Sequence, residues 1–179
     1  DTGTIVTVGT FDGIHLGHQA ILQRLNDLGR ETGLLPTVVT FHPHPRVVVS
    51  PSNYPSLLTT LSEKEHFLPC FHDGAVVALD FNTSLKNMSA EDFVRTILIK
   101  QLGVKRLIVG YDHSFGRDRS GSTEELRRFG REFGFGVNVA EAVIVDGAPV
   151  SSSRIRAALT ESRLSEAVKL LGHEYAIFG

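Results

Sequence analysis

Short apolar runs alternate with stretches of helical periodicity along most of this chain. The apolar runs are rich in β-branched residues and stay apolar on successive positions, as in strands covered on both faces of a sheet. They lie at residues 4–8, 34–41, 75–81, 106–109 and 137–145. These runs predict five strands, and Asp146 with Gly147 predicts a turn after the last of them.

The helical stretches carry apolar residues three and four positions apart, and several follow a residue that can cap a helix. They predict helices at residues 19–31, 62–71, 90–101, 151–159 and 164–171, and one more that starts after Ser122. Residues 62–65 have the capping-box pattern, and Ser89 and Ser122 stand at predicted N-cap positions. Residues 42–46 are predicted as loop, because two prolines there disfavour helix and ladder alike. For residues 47–54, both a short strand and a packed loop remain possible interpretations.

The alternation of strands and helices predicts the fold class. We expect an α/β fold with a Rossmann-like, doubly wound parallel sheet of five strands and helices on both faces. Ligands of such sheets bind at the carboxyl ends of the strands, near the point where the strand order reverses. Three loops follow strands directly, at residues 9–18, 42–45 and 110–121. They are therefore predicted to share one edge of the sheet, and function is expected there.

The first of these loops combines glycine with histidine. Gly9, Gly13 and Gly17 are spaced four apart, His15 and His18 stand among them, and a helical pattern follows at once. A strand, a glycine-rich turn and a helix start bring backbone N–H groups and a positive helix end to one point, where an anion can bind. The loop is thus predicted to be a phosphate site with two imidazole donors.

Other interpretations of this loop are weaker. It has neither the glycine fingerprint of a dinucleotide-binding turn nor the Gly-x4-Gly-Lys-Ser/Thr phosphate loop. A zinc site at His15 and His18 lacks a third ligand at helical spacing. A structural pair, with each ring bonded to a loop carbonyl, stays open as the minor alternative.

Composition excludes several classes of protein. The 179 residues are 41% hydrophobic and 21% charged, as in one globular domain, and the formal net charge of -2 argues against binding to nucleic acid duplexes. The single Cys70 excludes an internal disulfide and a multi-cysteine metal cluster, which fits a reducing compartment. No apolar run approaches a membrane span and no leader precedes the first strand, so a cytoplasmic protein without membrane contact is expected.

Four motifs carry a resemblance to a known family. Residues 9–18 read Gly-Thr-Phe-Asp-Gly-Ile-His-Leu-Gly-His, and residues 40–45 read Thr-Phe-His-Pro-His-Pro. Residues 110–116 read Gly-Tyr-Asp-His-Ser-Phe-Gly, and residues 150–156 read Val-Ser-Ser-Ser-Arg-Ile-Arg. The first motif resembles the His-x-Gly-His signature of the nucleotidylyltransferase superfamily. The whole set is similar to the bacterial bifunctional riboflavin kinase/FMN adenylyltransferases, the FAD synthetases, with His113 in place of the usual Phe and Ser153 in place of Thr.

The resemblance implies an FMN adenylyltransferase with the nucleotidylyltransferase fold. Such an enzyme transfers AMP from ATP to FMN and releases FAD and pyrophosphate, with Mg²⁺ bridging the phosphates. The attacking phosphate of FMN is already ionised, so no general base is needed, and none stands out in the sequence. The site's task is to bring two polyanions together and stabilise the developing charge.

The resemblance also assigns residues to roles. The catalytic residues would be His15, His18 and Arg156. Contacts to ATP would come from Gly9, Thr10, Phe11, Gly13, Gly17, Ser152 and Ser153. The flavin would be contacted by Asp112, His113 and Phe115. No residue is assigned to metal. Asp12 is interpreted as shaping its tight turn through its own backbone, and a role as metal ligand stays open as the minor alternative.

The resemblance covers the adenylyltransferase half of the family only. Residues 1–179 are interpreted as that domain, and the family's riboflavin kinase domain is expected in cis in the full-length protein and absent from this chain. Small-molecule nucleotides are the expected partners. Two alternatives remain: a related nucleotidylyltransferase with another phosphate acceptor, and a non-catalytic nucleotide- or flavin-binding module.

Overall fold

Five parallel strands form the central sheet of the protein. The computed structural model describes residues 3–111 and 121–175. The strands are β1 (Thr4–Val8), β2 (Leu35–His42), β3 (Ala75–Asp80), β4 (Val104–Gly110) and β5 (Gly136–Ala140). They pair in the order β3-β2-β1-β4-β5, and every pairing is parallel. The strand order reverses between β1 and β4, which confirms the doubly wound sheet and puts its switch point at the end of β1.

Helices connect the strands. They are α1 (Leu16–Thr32), α2 (Pro45–Val49), α3 (Leu61–Phe71), α4 (Thr83–Asn87), α5 (Ala90–Phe93), α6 (Thr123–Phe133), α7 (Ser152–Thr160) and α8 (Leu164–Leu171). A π-helix, Val94–Gln101, continues α5. Two short strands, β6 (Ile144–Val145) and β7 (Ala148–Pro149), form a hairpin outside the sheet.

Both faces of the sheet are covered by helices. Ile5 of β1 packs into a cluster with Leu22 of α1 and Leu68 of α3. The neighbouring Val6 packs into a second cluster that includes Phe129 of α6. Because successive side chains of a strand point to opposite faces, these two clusters are the two layers of the core. The prediction of helices on both faces is confirmed.

Two predictions of local structure were wrong. Residues 42–46 were expected to exclude helix, yet α2 begins at Pro45, because the fixed φ of proline suits the first position of a helix. The capping box of α3 is formed by Thr60 and Glu63 rather than by residues 62–65. The Glu63 amide donates to the Thr60 hydroxyl at 3.2 Å, and the Glu63 carboxylate accepts from the Thr60 amide at 2.7 Å. The same pattern occurs two residues earlier, where the α3 axis actually starts.

Other boundaries differ in ways that do not move the site. The predicted helix at residues 90–101 is capped by Ser89 as expected, but changes from α to π geometry at Val94. The fifth strand ends at Ala140, and residues 141–145 belong to the connection and the hairpin. Asp146 and Gly147 have φ values of 52° and 76°, which fits the tight hairpin turn predicted there.

Candidate active site

The turn after β1 is strained and held by packing. Phe11, Gly13 and Ile14 have φ values of 47°, 84° and 40°. Positive φ is costly for a β-branched residue such as Ile14, but Phe11 and Ile14 are 2% and 0% exposed, so burial holds them there. At Gly13 an added Cβ would also lie 2.8 Å from Leu58 Cδ1. Such strain is common where a backbone is fixed for function.

Asp12 lies at the centre of this turn and is 1% exposed. Its Oδ1 accepts hydrogen bonds from the amides of Leu58 and Thr59 at 2.9 and 3.0 Å. Its Oδ2 forms an ion pair with Arg156. The prediction that Asp12 shapes the turn through its own backbone was therefore wrong. Asp12 instead joins the turn to residues 58–59 and to α7.

The motif at residues 150–156 is brought against this turn by α7. The Ser152 hydroxyl donates to the Asp12 carbonyl at 2.9 Å, and the Arg156 Nε donates to the Ser56 carbonyl at 2.6 Å. Ser152 and Ser153 are the first two residues of α7, as predicted. A guanidinium has five N–H donors, so the contacts to Asp12 and Ser56 leave others for an anion. The Arg156 side chain is 18% exposed, which keeps it accessible.

His15 and His18 form a stacked pair at the start of α1. Their ring centroids are 3.7 Å apart, and the planes are 15° from parallel. His15 is the N-cap of α1, and its Nδ1 accepts from the His18 amide at 3.4 Å. Because Nδ1 accepts, the neutral His15 ring carries its proton on Nε2. His15 therefore caps the helix through Nδ1.

The surroundings of His18 favour the neutral form of its ring. Burial lowers its pKa well below the ordinary value, and the charges of His15 and Lys64 lower it further. Its Nδ1 is buried and has no hydrogen-bond partner among residues 3–111 and 121–175. The ring also lies against Phe11, with centroids 5.1 Å apart. At neutral pH, His18 can therefore donate through one N–H but does not carry a full positive charge.

The remaining residues predicted to bind ATP lie around these rings. A Cβ on Gly9 would come within 3.2 Å of the Phe11 ring, and a Cβ on Gly17 within 3.2 Å of the His15 ring. The absence of a Cβ at Gly9 and Gly17 therefore allows the rings of Phe11 and His15 to pack against the backbone. The carbonyl of Thr10 accepts from the Thr40 hydroxyl at 3.3 Å. Contacts of all these residues with ATP stay predictions.

Asp112, His113 and Phe115, the residues predicted to contact the flavin, lie outside the described residues. Gly110, which ends β4, pairs with β5 at the same carboxyl edge of the sheet as the turn after β1. The motif at residues 110–116 therefore begins at this edge, as expected.

Lys64 is a residue that the sequence-based predictions missed. It lies on the first turn of α3 and is 4% exposed. Burial lowers its pKa, and the nearby Asp12 carboxylate opposes that shift. A signal was available, because Lys64 shares a helix face with Leu61 and Leu68 at spacings of three and four residues. A lysine in such a stripe is normally interpreted as a solvated residue whose stem covers apolar surface.

The Thr-Phe-His-Pro-His-Pro motif at residues 40–45 lies near Lys64, and the two line a small cavity together. His44 is 9% exposed and caps α2, and its Nδ1 accepts from the Arg46 amide at 3.2 Å. Burial lowers the pKa of His44, with Asp12 acting in the opposite direction. His42, which ends β2, is exposed and lines the same small cavity as Lys64. This second loop therefore meets the first at one edge of the sheet, as predicted.

The buried histidines make stability depend on pH. Because the pKa values of His18 and His44 are lowered in the folded state, the unfolded chain binds protons first as the pH falls below about 6.5. The free energy of unfolding should therefore decrease from pH 7 to pH 5, with His18 contributing at most about 1.4 kcal/mol per pH unit. Urea unfolding at several pH values measures this. His18→Gln should make the free energy of unfolding depend less on pH. His66→Gln, a change at an exposed histidine, is the control and should leave the dependence as it is in the parent protein. Identical pH dependence in the parent and both variants would contradict the prediction.

The histidine-bearing turn lies at the switch point of the sheet, with Arg156 of α7 bonded to it. A family model described as FAD synthetase matches residues 1–154. The chain therefore belongs to the FAD synthetase family.

Curated relatives are similar to this chain over nearly its whole length. A bifunctional riboflavin kinase/FMN adenylyltransferase of Pseudomonas fluorescens is 40% identical over 177 residues, covering 99% of this chain and 57% of that protein. The protein of the same description from Escherichia coli K12 is 36% identical over 99% of this chain and 56% of its own length. The chain thus spans a little more than half the length of these relatives.

A solved structure supports the fold independently. A protein from Streptococcus pneumoniae, described as a macrolide-efflux protein, superposes with a TM-score of 0.86 at 29% identity, over 98% of this chain and 58% of that one. The efflux description applies to that protein. Within the part of this chain that the structure describes, no helix has the length and apolar character needed to cross a membrane.

Proposed function

We propose that this chain is an FMN adenylyltransferase, which transfers AMP from ATP to FMN and forms FAD and pyrophosphate. Membership of the FAD synthetase family supports the proposal. The observation that carries it is the meeting of two distant motifs: Arg156 and Ser152 on α7 are bonded to Asp12 in the turn that holds the histidine pair. The histidine pair and the guanidinium of Arg156 thus belong to one connected turn at the switch point of the sheet.

The chemistry fits these groups. The FMN phosphate is an ionised nucleophile, so catalysis consists of positioning and charge stabilisation rather than proton removal. The Nε2–H of His15 and the neutral ring of His18 would donate to the α-phosphate as negative charge moves toward the leaving pyrophosphate. Arg156, already fixed by Asp12 and Ser56, would bind the β- and γ-phosphates together with Ser152 and Ser153 at the start of α7.

Mg²⁺ fits this site as an ion held by phosphates and water. Asp12 is unsuited as a ligand, because Oδ1 accepts from residues 58 and 59 and Oδ2 is paired with Arg156. Among the described residues, no group of three or more His, Cys, Asp or Glu side chains is placed to hold a metal. When bound with ATP, Mg²⁺ would neutralise part of the phosphate charge.

The flavin is proposed to enter from the loop that follows β4. β4 is the neighbour of β1 in the sheet, so this loop starts beside the histidine-bearing turn. Asp112 would meet polar groups of the flavin, and Phe115 and His113 would pack against its ring system. The loop motif is what favours FMN over another phosphate acceptor.

Formation of FAD from FMN and Mg-ATP tests the proposal. We expect FAD and pyrophosphate in equal amounts by chromatography. Riboflavin in place of FMN should give no FAD, because it lacks the attacking phosphate. Binding of ATP and FMN without pyrophosphate release would favour a non-catalytic module, and turnover with a different acceptor would favour a related nucleotidylyltransferase.

The full-length protein is proposed to have the same two activities as its relatives. The names of those relatives include riboflavin kinase, and this chain covers 57% of the Pseudomonas fluorescens protein. We propose a riboflavin kinase domain in cis in the full-length protein and a location in the cytoplasm.

A further inference from the structure

Lys64 is a buried cation without a counter-ion in direct contact. Its side chain is on the core side of α3, and 4% of the residue is exposed. Throughout residues 3–111 and 121–175, no hydrogen bond or ion pair reaches its ammonium group. The negative charge that acts on it, Asp12, already binds Arg156 and the amides of residues 58–59. Withdrawing most of a lysine side chain from water without a direct partner for its charge is unfavourable, so the folded protein carries a cost here that a bound anion would offset.

A cavity gives this cation access to a ligand. Lys64 lines a space of about 150 Å³ at the carboxyl end of β2, between α2 and α3. The other lining residues are Phe41, His42, Pro43, His44, Val47, Leu57, Thr59, Thr60 and Leu61. None of them is acidic, and two imidazoles and two hydroxyls are among them. Pockets for whole drug-sized ligands occupy about 300–1,000 Å³, so this space suits a single small group rather than a ring system.

The position of the cavity indicates which group it takes. Lys64 and Asp12 interact electrostatically, and Lys64 also acts on His18 of the histidine pair. The cavity therefore adjoins the edge of the sheet where the proposed reaction brings two phosphate-bearing substrates together. A cation in a cavity with no acidic lining residue is suited to a phosphate group.

We propose that Lys64 binds a phosphate group of one of the two substrates in this cavity. The group is either the phosphate of FMN or part of the triphosphate of ATP, since both present the same chemistry. Lys64 would then add a contact to phosphate beside those proposed for Arg156 and the histidine pair. The inference deepens the proposed function and rests on it.

Lys64→Met tests the role of the charge, because methionine matches the four-atom apolar stem of lysine and lacks only the ammonium group. Equilibrium binding of FMN, riboflavin, ATP and adenosine is measured for the parent and the variant. We expect a loss of about 10- to 100-fold for one phosphate-bearing ligand and no change for its phosphate-free counterpart. Loss for FMN but not riboflavin assigns the FMN phosphate, and loss for ATP but not adenosine assigns the triphosphate.

Stability separates this role from a structural one. Replacing an unpaired buried charge by an apolar side chain should leave the free energy of unfolding unchanged or raise it. Lys105→Met, at the exposed start of β4, is the control and should change neither binding nor stability. Unchanged affinity of Lys64→Met for all four ligands, or equal loss for ligands with and without phosphate, would overturn the proposal. These measurements need no turnover, so they stand apart from the test of FAD formation by the parent chain.

Discussion

Asp12→Ala is expected to lower the free energy of unfolding by about 3–5 kcal/mol, the usual cost of breaking a buried ion pair by removing one partner. Asp12 is 1% exposed and its partner Arg156 has 18% of its side chain exposed, so water can replace little of what is lost. The substitution also removes the acceptor for the amides of Leu58 and Thr59. Urea unfolding followed by circular dichroism measures the change.

A double-mutant cycle measures how much of this loss of stability comes from the ion pair between Asp12 and Arg156. Arg156→Met alone and together with Asp12→Ala should show a coupling of more than about 1 kcal/mol, because the two side chains are in contact. Asp73→Ala, which removes the partner of Arg30 in an exposed ion pair, should change stability by less than about 1 kcal/mol. Additive effects of the two substitutions at Asp12 and Arg156 would show that the pair is not coupled.

His15→Asn combined with His18→Gln is expected to reduce kcat by about 10²–10³-fold, the usual effect of removing donors to a developing negative charge. Affinity for FMN should change little, because the pair is proposed to act on the phosphates of ATP. Asparagine is a good N-cap and can replace the Nδ1 of His15 as acceptor from the His18 amide. The variant therefore removes the Nε2–H donor while it preserves the start of α1.

Steady-state formation of FAD and equilibrium binding of FMN measure the two effects separately. His66→Gln, at an exposed histidine of α3, is the control and should retain full turnover. Equal losses of turnover and of FMN affinity would show that the histidine pair supports the structure of the site rather than the chemistry.

The sheet and its order of elements were predictable because their signals are local. Each strand is a short apolar run that needs cover on both faces, and the helices between them show apolar positions at helical spacing. Ser89 and Ser122 were also placed correctly, since a cap depends on residues three positions away. Pro45 and Thr60 were missed, because the choice between neighbouring helix starts depends on where the chain must turn to pack.

The site was predictable only in part. The histidine pair and the serines of α7 were found because their motifs are contiguous in sequence. The function of Asp12 was misread, because its partners lie 46, 47 and 144 residues away along the chain. Lys64 was missed because a lysine in an apolar stripe resembles a solvated one until the neighbouring elements are in place.

The sequence by itself determined the fold class and the edge of the sheet at which the glycine-rich turn with its two imidazoles lies. Periodicity and short-range capping encode these features, and neither depends on distant contacts. Only the tertiary structure decided that the turn at residues 9–18 is anchored through Asp12 and that His18 is kept neutral. Burial and charge pairing arise when β1, α3 and α7 pack together, and a linear pattern does not contain them.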